Sequence, residues 1–268
     1  MLNERIYLDA ENADVYLDTY VADNMNAVRD AMLVIPGGGY SQVCSDREGE
    51  PVALAYQARG YNTFVLHYRV DKREYPAQLT DASRAILHIK KNAKKYNVNP
   101  ERIFAVGFSA GGHLAGSLAV LHSDPEVLSA LGITEGENRP TGVIMAYPVV
   151  SAVLPTHEGS FEHLTGGTPF NEIPKEIKEK LSLELHVGAN TSPAFIWHTA
   201  CDKLVPINGS LALMQAYVDK GIAVMGALYP YGPHGVSLAN SMSLGSLDMI
   251  QPIAEGWVDA SVEWMKTL

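Results

Sequence analysis

Short apolar segments alternate with amphipathic ones along most of this chain. Near the start, RIYL and DVYLDTYV alternate apolar and polar residues, which is typical of half-buried antiparallel strands. The segment AMLVI at 31–35 is apolar throughout and runs into PGGGY, which favours a strand covered on both faces. Further strands are predicted at NTFVLHYRV, RIFAVG, TGVIMAYPVV, AFIWHTA and AVMGALYPY.

Helical patterns lie between these predicted strands. EPVALAYQARG ends at Gly60, a plausible helix cap, and the long segment PAQLTDASRAILHIKKNAKKY has Pro76 at its start. Further helices are predicted at AGGHLAGSLAVLH, GSLALMQAYVDKG and the closing MIQPIAEGWVDASVEWMKTL. Strands that alternate with helices at this spacing indicate an α/β protein whose mainly parallel sheet is covered by helices on both faces.

Residues 151–192 interrupt the alternation with a segment rich in Pro, Gly, Glu and Lys. An interruption of this length is usually functional and often forms a lid or wall over a site. We therefore predict one domain over 1–268, in which an insertion at about 151–192 forms part of the substrate pocket.

Composition narrows the classes of partner. The chain has 268 residues, of which 47% are hydrophobic, and can therefore bury a substantial core. Its 30 acidic and 20 basic residues give a net charge of −10, which disfavours nucleic acid and anionic membranes as partners. The basic run KKNAKK at 90–95 is interpreted as the solvated face of a helix.

Cysteines and the N-terminal segment bear on location. Cys44 and Cys201 lie far apart and show neither a CxxC pattern nor metal-ligand spacing, so both are interpreted as reduced thiols. The N-terminal segment carries acidic residues and lacks the apolar stretch of a signal peptide. No apolar run approaches the ~18 residues that span a bilayer. These features predict a cytoplasmic protein.

The stretch GFSAG, at 107–111, places Ser109 between two glycines where a predicted strand gives way to a predicted helix. This is the G-x-S-x-G pattern of a nucleophile on a sharp turn, where flanking glycines avoid Cβ clashes with the strand and the helix. Such a turn projects the hydroxyl above the carboxyl edge of the sheet, where sites in open α/β sheets lie. We predict that Ser109 is a nucleophile.

A serine hydroxyl needs a base and an orienting acid to react at neutral pH. Asp202 follows the predicted strand AFIWHTA, and His234 follows AVMGALYPY in a glycine-flanked loop. Their order along the chain after Ser109 is the one expected of this kind of sheet. Asp219 and Asp248 compete less well for the acid role, because both fall on or near predicted helices.

Eight further histidines are interpreted mainly as packing or surface residues, although those in the insertion could also touch substrate. They are His67, His88, His113, His122, His157, His163, His186 and His198.

Acyl transfer also requires donors for the developing oxyanion. The backbone N–H of Ala110, directly after the nucleophile, would be one donor, and Gly38 and Gly39 in PGGGY would supply the others. For substrate contacts we predict the insertion and the loop CSDREGE at 44–50. Three single positions are added to these contacts: Tyr40, Phe108 and Val205.

Taken together, these stretches resemble the α/β-hydrolase superfamily, in particular its acetyl esterase/lipase branch near the hormone-sensitive-lipase-like and acetylxylan-esterase-like proteins. The resemblance is carried by PGGGY, SDREGEPVALAYQARGYNTFVLHYRV, YPAQLTDASRAI, NPERIFAVGFSAGGHLAG, SPAFIWHTACDKLVP and PHGVSLA. It implies an α/β-hydrolase fold and the same nucleophile, acid, base and oxyanion donors. Related esterases often have histidine before the glycine triplet, where this chain has Pro36, so Pro36 must brace the loop by its rigidity.

The leading hypothesis is a serine carboxylesterase that removes acetyl or another short acyl group from an alcohol or sugar, with no metal or organic cofactor. The resemblance implies a small ester as partner, such as an acetylated oligosaccharide. Two alternatives stay open: a serine peptidase of the same fold, and a non-catalytic ligand-binding protein. The sequence leaves the oligomeric state open, and a homodimer is one possibility.

Overall fold

The computed structural model describes residues 2–23, 27–70, 74–243 and 245–268. Within these ranges, eight strands form a single sheet. The strands are β1 (Arg5–Tyr7), β2 (Tyr16–Tyr20), β3 (Arg29–Ile35), β4 (Asn62–His67), β5 (Val98–Phe108), β6 (Gly142–Ala146), β7 (Ala194–Thr199) and β8 (Val224–Tyr229). Their order across the sheet is β1-β2-β4-β3-β5-β6-β7-β8.

Helices connect most of these strands. They are α1 (Ser45–Glu48), α2 (Glu50–Gln57), α3 (Ala77–Lys91), α4 (Ala93–Tyr96), α5 (Ala110–Val120), α6 (Pro125–Leu131), α7 (Glu158–Leu164), α8 (Lys175–Leu181), α9 (Asn208–Asp219) and α10 (Trp257–Met265). Short 3-10 turns occur at Phe170–Glu172, Leu183–Leu185, Ser241–Ser243 and Leu247–Met249.

The direction of the strands confirms the predicted α/β class. β1 and β2 pair antiparallel, as their alternating patterns predicted, and β2 also pairs antiparallel with β4. From β4 to β8 every neighbouring pair is parallel. The carboxyl ends of β3, β5, β7 and β8 therefore meet at one edge of the sheet, and the loops that leave them are neighbours.

Both faces of the sheet are buried at its central strands, whereas the edge strand β8 is partly exposed. On β3, the side chains of Ala31, Leu33 and Ile35 enter one core, whereas those of Met32 and Val34 enter the other. Helices α3, α5 and α9 pack on the first face, and α2 and α10 pack on the second. This explains why AMLVI is apolar throughout rather than alternating, since each side of the strand lies against helices.

Two predicted helices differ from the observed ones. The closing helix was predicted from Met249, but α10 begins only at Trp257. Pro252 lacks the N–H that a helix interior needs and disfavours helical backbone at the residue before it, so the segment ahead of α10 forms turns. The long predicted helix over 76–96 is divided at Asn92 into α3 and α4.

The insertion at 151–192 contains α7, α8 and two of the 3-10 turns. It packs on the first core through buried Phe161, Leu164, Ile173, Leu181 and Leu183. Among the described residues, no helix combines the length and the apolar composition needed to cross a bilayer.

Candidate active site

The turn between β5 and α5 holds Ser109 in an unusual backbone conformation. Its φ of 53° lies in the region that residues other than glycine seldom adopt. A Cβ at Gly107 would lie 2.0 Å from the carbonyl oxygen of Gly111, and one at Gly111 would lie 2.2 Å from that of Ile35. Glycines are therefore required on both sides of Ser109 for α5 to pack directly against β3 and β5.

Three side chains from separate loops form a hydrogen-bonded chain at the carboxyl edge of the sheet. His234 Nε2 lies 2.8 Å from Ser109 Oγ, and His234 Nδ1 lies 2.6 Å from Asp202 Oδ2. With its proton on Nδ1, the imidazole donates to Asp202, and its Nε2 can accept the Ser109 proton. The loops after β5, β7 and β8 thus bring the three predicted residues together in the arrangement that activates a serine.

Asp202 is buried and held by several donors. Its Oδ1 accepts hydrogen bonds from the backbone N–H groups of Leu204 and Val205, at 2.9 and 3.0 Å. The Nε2 atom of buried His198 lies 3.3 Å from Oδ2. Burial alone would raise the pKa of the Asp202 carboxyl, but the hydrogen bonds from His198 and His234 hold that pKa well below its ordinary value. Asp202 therefore stays a carboxylate beside His234.

The glycine loop after β3 presents free donors near Ser109. Gly38 has a φ of +128°, and a Cβ there would lie 2.1 Å from the carbonyl oxygen of Gln42, so only glycine fits. The turn is closed by the N–H groups of Ser41 and Gln42, which donate to the Gly38 carbonyl. In the described part of the chain, the N–H groups of Gly38, Gly39 and Ala110 have no hydrogen-bond acceptor.

A second buried carboxyl, Glu48, braces that loop. Its Oε2 accepts the N–H of Gly37 at 2.8 Å, and its Oε1 accepts the hydroxyl of Tyr147 at 2.8 Å. The Tyr147 hydroxyl in turn accepts the N–H of Ser237, and the Tyr147 ring packs edge-on against that of His234. Burial raises the pKa of Glu48, against the effect of its two hydrogen bonds.

These contacts change the expectation for the glycine loop. Rigidity of Pro36 was expected to brace it, but hydrogen bonds do so as well: Tyr68 donates to the Pro36 carbonyl and Gly37 donates to Glu48. Glu48 lies in the segment CSDREGE, which the sequence placed beside the pocket. Neither its burial nor its partner Tyr147 was foreseen.

A cavity of about 210 Å³ opens over Ser109 and His234. Most of the residues that line it have polar side chains, and Leu204 is the large aliphatic side chain among the described residues of its wall. The lining residues are Gly38, Gly39, Ser41, Gln42, Cys44, Arg47, Glu48, Ser109, His157, His163, Leu204 and His234. Helix α1 and the insertion thus both contribute to this wall.

The structure does not place Tyr40, Phe108 and Val205 on the cavity, contrary to expectation. All three side chains are buried in the protein interior. Tyr40 packs against Tyr68 and donates its hydroxyl to His113 Nδ1 at 2.8 Å. Phe108 directly precedes Ser109 and Val205 lies three residues after Asp202, and the side chains of both are packed in the hydrophobic cores.

Of the remaining histidines, only His157 and His163 are among the described residues that line the cavity. His113 is buried, donates from Nε2 to the Leu181 carbonyl, and has its pKa lowered to about 4 by burial. It is a neutral packing residue, as predicted. His157 and His163 of the insertion line the cavity, and His157 Nδ1 is 2.9 Å from Ser160 Oγ. Burial and the nearby His234 lower the pKa of His157.

In the described ranges, no three His, Cys, Asp or Glu side chains are grouped so that they could hold a metal ion. Cys44 and Cys201 are both free thiols, and Cys44 lies on the cavity wall, where burial raises its pKa.

A parallel sheet with a serine at a strained strand–helix turn, and with histidine and aspartate on later loops, defines an α/β-hydrolase. Comparison with known proteins agrees. The chain belongs to the BD-FAE family, whose model matches residues 17–217, and this confirms the resemblance to the acetyl esterase/lipase branch.

Individual relatives are esterases or xylan-related enzymes. The chain is 41% identical over 226 residues to endo-1,4-beta-xylanase B of Butyrivibrio fibrisolvens, covering 81% of this chain and 34% of that protein. It is 28% identical over 207 residues to an acetylxylan esterase of Xylanibacter ruminicola, covering 76% of this chain and 40% of that protein. The chain therefore spans less than half the length of these two relatives.

Among solved structures, the acetyl ester–xyloside bifunctional hydrolase of Caldicellulosiruptor lactoaceticus superposes with a TM-score of 0.84 at 31% identity. That match covers 98% of this chain and 96% of the other. Several of the proteins that this chain resembles are named as esterases or carboxylic ester hydrolases.

Proposed function

We propose that this protein is a serine carboxylesterase that hydrolyses short-chain acyl esters of carbohydrates, acetyl esters above all, through an acyl-enzyme. One observation carries the proposal: the hydrogen-bonded chain Ser109–His234–Asp202 opens directly on a small cavity that is lined mostly by residues with polar side chains. Free N–H groups of Gly38, Gly39 and Ala110 are suited to receive an oxyanion.

In the acylation half-reaction, Ser109 Oγ attacks the ester carbonyl while His234 Nε2 takes the hydroxyl proton. The carbonyl oxygen becomes negative, and the free N–H groups of the glycine loop and of Ala110 stabilise it. Asp202, kept charged by its donors, fixes the Nδ1–H tautomer and stabilises the imidazolium that forms. His234 then gives its proton to the leaving alcohol, and the acyl group remains on Ser109.

Deacylation repeats these steps with water. His234 removes a proton from the water as it attacks the acyl-serine carbonyl, and then returns that proton to Ser109 Oγ as the carboxylic acid leaves. The ester and one water thus yield one acid and one alcohol, and Ser109 is regenerated.

Size and polarity of the cavity support a short acyl group and a hydroxyl-rich alcohol. A volume of about 210 Å³ leaves little room for a long acyl chain. Ser41, Gln42, His157 and His163 offer hydrogen-bonding groups on its wall, as sugar hydroxyls require. The xylan-related relatives point in the same direction.

The test is hydrolysis of p-nitrophenyl acetate, butyrate and octanoate, and of acetylated xylo-oligosaccharides, by the wild type and by Ser109→Ala. We expect wild-type kcat/KM to fall from acetate to octanoate, and kcat to fall by roughly 10⁴-fold or more in the variant. Thermal unfolding of both proteins checks that the variant is folded. Equal turnover by both would remove Ser109 from the proposed role, and inactivity of both on every ester would favour a ligand-binding protein.

A further inference from the structure

Arg47, at the third position of α1, extends its guanidinium along the wall of the Ser109 cavity. One terminal nitrogen, Nη2, lies 3.6 Å from Cys44 Sγ, a weak acceptor. The same nitrogen lies 4.0 Å from the position that a Cβ on Gly235 would occupy, directly after His234. The guanidinium is therefore beside both the cavity and the histidine loop.

The N–H donors of this guanidinium have few acceptors among the described residues. Its Nε is fully buried and has no hydrogen-bond partner among the described residues. Over the same ranges, Arg47 forms no ion pair with a carboxylate within 4.0 Å. Arg69 and Arg102, by contrast, each form an ion pair with an aspartate. Arg47 is half-buried, and a buried N–H without an acceptor is costly, so we look for an acceptor outside the protein.

The neighbouring carboxyl of Glu48 does not fill that role. Its oxygens accept from Gly37 and Tyr147, and no nitrogen of Arg47 lies within 4.0 Å of them, so Glu48 acts on Arg47 only through the attraction of their charges. Asp46, the other acidic neighbour on α1, is exposed and does not line the cavity. Arg47 is thus the one lysine or arginine among the described residues that line the cavity, in a protein whose net charge is −10.

We propose that Arg47 binds a carboxylate carried by the alcohol part of the substrate, so that the preferred esters are acyl esters of acidic sugars or other hydroxy acids. This deepens the esterase function proposed above and rests on it. The alcohol side is indicated because His234 protonates the leaving alcohol, and Arg47 lies beside the residue that follows His234. A guanidinium presents paired N–H donors in the geometry of a carboxylate, which makes a bidentate contact the natural one.

The proposal predicts discrimination between two esters that differ in a single charge. The probes are 3-acetoxybenzoate and its neutral methyl ester, which both release acetate and differ only in the carboxylate of the phenol. We expect Arg47→Gln to lower the ratio of kcat/KM for the anionic over the neutral ester by roughly 10–100-fold, the effect of losing a charge-assisted hydrogen bond. Arg47→Lys should give an intermediate ratio, because it keeps the charge and loses the paired geometry.

A matched control is Arg59→Gln, which removes the same charge from an arginine that pairs with Asp259 and does not line the cavity. This control should leave the ratio of the two esters unchanged, which separates a local contact from the overall charge of the protein. A ratio unchanged by Arg47→Gln in a folded variant, or an equal loss on both esters, would overturn the proposal.

Direct binding distinguishes this proposal from the esterase function. In the Ser109→Ala background, calorimetric titration with 3-hydroxybenzoate should show binding that is weakened roughly 10–100-fold by Arg47→Gln, whereas methyl 3-hydroxybenzoate should not show that difference. If the wild type hydrolyses no ester but this Arg47-dependent binding is observed, the carboxylate site stands and the esterase function fails. If neutral esters are hydrolysed with Ser109 dependence but the two ligands bind alike, the esterase function stands and the carboxylate site is wrong.

Discussion

Two buried carboxyl groups flank Ser109, and their surroundings give them opposite properties. Asp202 accepts from two backbone N–H groups and from His234, with His198 close by, and its pKa is held well below the ordinary value. Glu48 accepts from one backbone N–H and one phenol, and burial raises its pKa.

The difference follows from the donors that surround each group. Burial disfavours both charged forms, and only enough hydrogen bonds to the carboxylate can reverse that effect. Asp202 has those bonds and can stabilise a positive imidazolium. Glu48, with fewer donors, joins the glycine loop to Tyr147 and through it to the histidine loop. The comparison assigns Asp202 an electrostatic task and Glu48 a positioning task.

Asp202→Asn tests the electrostatic task of Asp202 and should have the largest effect. The amide keeps the shape but cannot hold His234 in the tautomer that accepts the serine proton, so we expect kcat to fall by about 10³–10⁴-fold with a smaller change in KM. Steady-state kinetics on p-nitrophenyl acetate measures this. Asp219→Asn, on the end of α9, is the matched control because Asp219 was the rival acid. A loss in the control instead of in Asp202→Asn would reassign the acid.

The sequence predicts the position of one of these two carboxyl groups and not that of the other. Asp202 could be predicted because it directly follows a strand, and the carboxyl ends of parallel strands share one edge. His234 was predicted by the same rule, and Ser109 from the G-x-S-x-G pattern. Glu48 sits in a four-residue helix within a charged segment, where nothing local distinguishes a buried glutamate from a solvated one. Its burial depends on Tyr147, which is distant in sequence.

The prediction for Tyr40 is wrong for the same reason, although here a residue expected on the cavity is buried instead. Its position directly after the glycine triplet suggested the cavity, but its side chain is buried against Tyr68 and His113. Whether a side chain after a strand turns inward or outward is decided by tertiary partners. The sequence therefore predicted the fold and the three side chains that meet at the carboxyl edge of the sheet, but not the residues that hold the loops.

A second test is Glu48→Gln, which we expect to lower kcat/KM by about 10–100-fold. The amide places an NH₂ group against one of the two donors, Gly37 N–H or Tyr147 O–H, so the oxyanion loop should shift. The loss should be below the roughly 10²–10³-fold that follows removal of an oxyanion donor itself. Exposed Glu50→Gln is the control on the neighbouring helix. An unchanged rate would show that Glu48 does not position the loop.

Stability adds a readout that depends on the raised pKa of Glu48. A raised folded-state pKa means that the contribution to stability is present at low pH and is lost as pH rises above the ordinary value of 4.5 through the folded-state pKa. Glu48→Gln removes this pH-dependent loss. We therefore expect the free energy of unfolding lost by the variant, measured in urea, to be larger at about pH 5 than at about pH 8. The opposite trend would mean that Glu48 is charged in the folded protein and has a lowered pKa.

The smallest effect is expected at His198, which was interpreted from the sequence as a packing residue. Its Nε2 lies 3.0 Å from the Val205 carbonyl and 3.3 Å from Asp202 Oδ2, and its Nδ1 lies 2.8 Å from Ser210 Oγ. If His198 helps to keep Asp202 charged, His198→Gln should lower kcat by about 5-fold, the value of one modest hydrogen bond of about 1 kcal/mol.

Ser210→Ala provides the matched structural control for His198. It removes the partner of Nδ1 and leaves the contact of Nε2 with Asp202 in place. Equal losses of kcat in both variants would assign His198 to packing alone. A loss confined to His198→Gln, and absent when the substitution is repeated in the Asp202→Asn background, would show that His198 acts through the charge of Asp202, because residues of one network are not additive.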